Sequence, residues 1–152
     1  MGNLIFTASK GRLVRFCDLA TGSDAIGVML LTTTGLVADT TLQDYTSVQA
    51  MLTAGNTEAT FTNYARKFFT SGITITPNFT ANTNTISMAN FTWTAAGGAL
   101  NNTLGKLVTY YRPTPSSTDS ACVPMTFHDL TATTIGSDLL VSIASGNLGL
   151  AS

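Results

Sequence analysis

In the second half of the chain, apolar residues recur at every second position, in short runs separated by turn residues. Gly72-Ile-Thr-Ile-Thr76 alternates Ile with Thr and stops at Pro77. Asn90-Phe-Thr-Trp-Thr-Ala95 puts Phe91, Trp93 and Ala95 on one face and Asn90, Thr92 and Thr94 on the other, and Gly97-Gly98 follows as a turn. Extended backbone sends successive side chains to opposite faces, so this period selects strands. Tyr64 to Phe69, Leu104 to Arg112 before Pro113, Ala121 to Phe127, and Asp138 to Ile143 read the same way. In the last two, Val123, Met125 and Phe127 share a face, as do Leu139, Val141 and Ile143.

The first half adds a short opening strand from Asn3 to Thr7 and a stronger one from Asp24 to Thr33. In the latter, Ile26, Val28 and Leu30 point one way and Met29 and Leu31 the other, so both faces are expected to be buried. One helix is predicted, Thr41 to Ala54, where Leu42, Tyr45, Val48 and Leu52 recur at helical spacing. Asp44 or Thr46 would cap its start, Gly55 and Asn56 would end it, and it would pack across one end of the sheets. Seven or eight short strands with regular turns predict an all-β fold, a two-sheet antiparallel sandwich, jelly-roll-like, with one short helix. Residues 1–152 carry no repeat or linker and read as a single β-sandwich domain. The tail from Gly146 to Ser152 reads as loose or interfacial.

Composition narrows the function classes. Charged residues make up 10% of the chain and the net charge is -1, which leaves no broad basic footprint for nucleic acid. Lys10, Arg12 and Arg15 form one small basic patch, read as a solvated turn. Thin charge also suits a surface that is covered in an assembly, although Thr-rich β proteins carry few charges in any case. The apolar run Ala25 to Leu31 is far shorter than the ~20 residues that cross a bilayer. The start lacks a signal-peptide core, and Cys17 and Cys122, far apart in sequence, read as reduced thiols.

Catalysis has few candidates. The chain holds one His, His128, and one Glu, Glu58. His128 and Asp129 are neighbours, which on a strand face opposite sides; Asp129 is expected to start the turn before Gly136, with His128 at the strand end. No nucleophile, phosphate-loop or metalloprotease motif is present, and no cluster of oxygen, His or Cys ligands has metal spacing. Neither a catalytic residue, a cofactor nor a metal is assigned. Trp93, Tyr110 and Tyr111 could stack on sugars if exposed. The alternation assigns Trp93 to the core beside Phe91, against Val123, Met125 and Phe127, and exposes one of the two tyrosines.

Several segments in order resemble a known group. Asp24 to Leu31 has the form D-x-I-x-V-x-L-L, and Asp44-Tyr45 follows it. Gly55, Glu58, Tyr64 and Arg66 come next, then Phe91-Thr-Trp93, Leu107 to Tyr111, Pro124 to Asp129 and Gly136-Ser-Asp138. This order resembles the small structural proteins of tailed bacteriophages. The resemblance implies a non-enzymatic virion protein, first a head decoration (cement) protein that binds the major capsid protein and copies of itself, a trimer being one arrangement. A tail component or a carbohydrate- or receptor-binding module is the alternative. It transfers no binding residue; an ion pair between Glu58 and Arg66 is expected as a fold element, and charge and hydropathy give no reason to expect nucleic acid or a membrane as a partner.

Overall fold

The computed structural model describes residues 4–142 and 149–151. Its strands are β1 Leu4–Ile5, β2 Ala25–Thr32, β3 Lys67–Phe69, β4 Ile73–Asn78, β5 Thr83–Met88, β6 Phe91–Ala96, β7 Thr103–Arg112, β8 Val123–Thr133, β9 Ser137–Val141 and β10 Gly149–Ala151. Three short helices interrupt them: α1 Leu13–Cys17, α2 Asp39–Leu42 and α3 Val48–Thr53. A five-stranded sheet runs in the order β1-β8-β7-β2-β3, a second is β10-β5-β4, and a third is the pair β6-β9, all antiparallel.

The large sheet is buried on both faces, as the two-sided apolar run in β2 requires. On one face Ile26, Val28, Leu30, Leu104 and Met125 pack with Ile86 and Met88 of β5 and with Phe91, Trp93 and Val141 of the β6-β9 pair. This is the sandwich. On the other face Met29, Leu31, Val108, Tyr110 and Phe127 pack against Leu42, Val48 and Met51. The helical segment therefore covers the outside of the large sheet rather than one end.

That segment is also two helices rather than one. The backbone at Ser47 is extended, and its side chain accepts a hydrogen bond from Ala50 N at 3.1 Å, so Ser47 starts α3. Asp44 instead accepts from the Thr7 hydroxyl at 3.1 Å. The break lets Val48 N donate to Cys122 O at 3.0 Å, which ties α3 to the segment before β8. Met51 is fully buried against the sheet, and Tyr45 and Leu52 pack partly buried beside it.

Two bulges shift the expected faces. Thr109 pairs with Thr126 but Tyr110 pairs with Pro124, so Met125 is an extra residue in β8. Met125 and Phe127 consequently lie in opposite cores instead of together. In β6 the pairing slips between Trp93 and Ala96. Ala95 takes φ 48 and is exposed, and Ala96 is buried in its place. β8 also runs on to Thr133, so His128 and Asp129 lie inside a strand rather than at its end. Of the expected strand Tyr64 to Phe69 only Lys67–Phe69 forms, and β5 is additional to the expected set. Asn3, Ile143, residues 146–148 and Ser152 lie outside the described residues, while Gly149–Ala151 of the tail pairs with β5.

Candidate functional site

Most titratable groups are consumed by the fold. Arg66 forks onto Glu58, with Nε to Oε1 at 2.7 Å and Nη2 to Oε2 at 2.6 Å, and onto Asp119 at 2.5 Å. The expected Glu58–Arg66 pair is therefore present, and Asp119 extends it. The Tyr64 hydroxyl donates to Glu58 at 2.8 Å, and burial raises its pKa. Lys106 is buried between Asp129 and Asp39, the latter at 2.7 Å. Burial alone would depress its ammonium, but hydrogen bonds to Asp129 and Asp39 reverse this and raise its pKa.

His128 joins a chain of two threonines. Its Nε2 lies 2.9 Å from the Thr126 hydroxyl, which is 2.6 Å from the Thr109 hydroxyl. Burial lowers its pKa to about 4, opposed by Asp129, so the ring is neutral near pH 7. Cys17 and Cys122 are buried free thiols, and burial pushes Cys17 up to about 12, far from a reactive thiolate. Among the described residues no group of three His, Cys, Asp or Glu could hold a metal ion, and no helix is long and apolar enough to cross a membrane.

The aromatic candidates divide. Trp93 is 2% exposed and its Nε1 donates to Ala65 O at 2.8 Å, so it cannot stack on a ligand. Tyr110 is buried as well. Tyr111 is half-buried and borders an open cleft of about 450 Å³, walled by Arg12, Arg15, Phe16, Ala20, Thr21, Asp24 and Tyr111.

The local sequence builds this cleft. α1 buries Leu13 and Cys17, which leaves Arg12 and Arg15, three positions apart, exposed together. Phe16 stacks on Tyr111, with ring centroids 4.5 Å apart and planes 16° apart. The chain then turns through Leu19 and Gly22, at φ 49 and 69, and reaches Asp24, the residue before β2. Asp24 N donates to the Thr21 hydroxyl at 3.2 Å, which fixes the turn against the strand. Asp24 is 2% exposed; its Oδ2 accepts from the Tyr111 hydroxyl at 3.0 Å, and its Oδ1 is buried with no hydrogen-bond partner among the described residues. Burial and the bond to Asp24 raise the Tyr111 pKa, against the field of Arg15.

The basic patch at Arg12 and Arg15 thus flanks a cleft, whereas the sequence suggested only a solvated turn. Asp24 and Tyr111 lie 87 residues apart, so no local motif announces their contact.

No family model matches the chain, no curated protein matches it, and no solved structure matches it.

Proposed function

We propose that the protein is a non-enzymatic structural component of a tailed-phage particle, a head decoration protein that binds the major capsid protein and further copies of itself. The order of segments from Asp24 to Asp138 supports the phage assignment. The observation that carries a binding role is Phe79. It sits in the β4-β5 hairpin turn, where residues 76–82 are all exposed, and is itself 87% exposed. Burying such a ring is worth roughly 1.5–3 kcal/mol, so an aromatic held in water gains when a partner covers it. Ile135, at 71% exposure, and Leu100, at 50%, lie on two loops joined by the bond from Thr134 N to Asn102 O at 3.0 Å, and they add apolar surface.

Co-sedimentation with assembled capsid shells tests this reading. The protein should pellet with shells, and Phe79→Ser should pellet far less while keeping its thermal midpoint. Absence of the wild-type protein from the shell pellet would reject the capsid assignment. A tail-located carbohydrate- or receptor-binding module is a second reading, favoured by the cleft at Tyr111.

A further inference from the structure

We infer that the cleft between α1 and Tyr111 binds an acidic saccharide, a glycosidically linked sugar residue carrying one carboxylate. The inference rests on the second reading above and is independent of capsid attachment.

Three features have to be satisfied at once. Arg12 and Arg15 present two guanidinium groups that make no ion pair among the described residues. Guanidinium forks match carboxylates in geometry as well as charge. Asp24 Oδ1 is a buried acceptor without a donor among the described residues. Such atoms are rare because an unpaired buried polar group is destabilising; Asp24 lines the cleft, and a small turn of its side chain toward a bound hydroxyl would give this oxygen a donor. Tyr111, backed by Phe16, offers an aromatic wall.

A ligand for this cleft would therefore carry an anion for the guanidinium groups, a hydroxyl donor for Asp24 and an apolar face for Tyr111. A sugar acid has this arrangement: a ring carboxylate, neighbouring hydroxyls and a C–H face. The charges also fit, since two guanidiniums and one carboxylate leave a single positive charge for a monoanion. A polyphosphate would set surplus negative charge beside Asp24. The cleft volume of about 450 Å³ lies within the range of small-molecule sites and admits one or two sugar rings.

Calorimetric titration of the full chain with four probes tests the inference: methyl glucuronide, methyl glucoside, acetate and alanine. Methyl glucuronide should bind at least tenfold more tightly than each of the other three. Arg12→Ala and Arg15→Ala alter exposed residues and leave the fold intact; each should weaken methyl glucuronide about tenfold, the loss of one charge-assisted contact. Asp24→Asn should reduce the preference for methyl glucuronide over acetate. Equal binding of acetate and methyl glucuronide would reduce the cleft to an anion patch and overturn the proposal. So would tighter binding of alanine, whose ammonium and carboxylate meet the same two ends, or no effect of either Arg variant. Loss of sugar binding with capsid co-sedimentation retained would sink this inference and leave the decoration reading standing.

Discussion

Gly27 lies directly opposite Tyr110 on the helix-covered face of the large sheet. A Cβ at residue 27 would fall 2.3 Å from Tyr110 Cζ and 2.4 Å from Cε2, where ordinary contact begins near 3.4 Å. The ring would have to move by about 1 Å. It has nowhere to go: it is 1% exposed, Phe68 meets its edge at 6.3 Å, and the Arg66 guanidinium, fixed by Glu58 and Asp119, lies 5.7 Å from its centroid. Overpacking of this kind is destabilising by about 1–3 kcal/mol, although Ala in a strand interior is intrinsically better than Gly by about 0.5–1 kcal/mol. Gly27→Ala should therefore lower stability by up to about 2.5 kcal/mol. Tyr110→Ala should lower it by about 3–5 kcal/mol through the void it leaves. In the double variant the new methyl enters that void, so Gly27→Ala should become neutral or stabilising there. The resulting coupling of about 1–3 kcal/mol is measurable by urea unfolding followed through Trp93 fluorescence. An equal effect of Gly27→Ala in both backgrounds would refute the steric account.

Trp93→Ala should remove about 3–5 kcal/mol and leave Ala65 O without its donor, and the native Trp93 emission should be blue-shifted and resistant to iodide; ready quenching in the folded protein would put the ring outside the core. His128 binds a proton near pH 4 when folded and near its ordinary 6.5 when unfolded, so its contribution is full above 6.5 and lost as pH falls toward 4. Unfolding free energies measured at pH 7 and pH 4.5 should differ less in His128→Gln than in the wild type, and equal differences would refute this. Arg66→Met leaves Glu58 and Asp119 facing each other unpaired and should be destabilising by about 1–3 kcal/mol, discounted for its partial exposure. Replacing Lys10, Arg12 and Arg15 together by Gln should change stability by no more than about 0.5 kcal/mol, and a larger loss in thermal or urea unfolding would make them part of the fold.

The strand pattern was legible where burial is one-sided or complete. In β2 every residue is apolar or small and every one is buried, and Phe91 and Trp93 alternate inward as the period demands. The bulges were not legible. Nothing in Pro124-Met-Thr-Phe127 signals that Met125 is an extra residue, because a bulge is fixed by the partner strand's register. Alternation puts Tyr110 and Tyr111 on opposite faces without saying which is covered; Tyr110 has room to be buried because Gly27 stands across from it, and Tyr111 is half-buried. The helix break escaped notice for a similar reason. Ser47 caps α3, yet Leu42, Tyr45 and Val48 continue the helical spacing straight through it, and the bond from Val48 N to Cys122 O that ends the run crosses 74 residues. The candidate site combines a readable part, the Arg12 and Arg15 spacing, with an unreadable one, the carboxylate of Asp24.

The cations divide along the same line. Seven Lys and Arg residues occur in the chain. Arg66 and Lys106 are locked in ion pairs, each to two carboxylates. Lys67 lies 5.3 Å from the Trp93 ring centroid and Arg112 lies 3.7 Å from that of Phe68. The remaining three, Lys10, Arg12 and Arg15, all fall within six residues, and two of them wall the cleft. A solvated turn gives no reason for the residues beside it to include a buried carboxylate oxygen without a donor among the described residues. In a chain with so little charge, the fold accounts for four cations through named contacts. Of the other three, Arg12 and Arg15 line a cleft whose wall also includes the Phe16–Tyr111 pair and Asp24. That coincidence of charge, acceptor and ring supports a ligand at this position, and it separates two roles for positive charge: in the core it fixes loops and helices to the sheet, and at α1 it is left available to an anion.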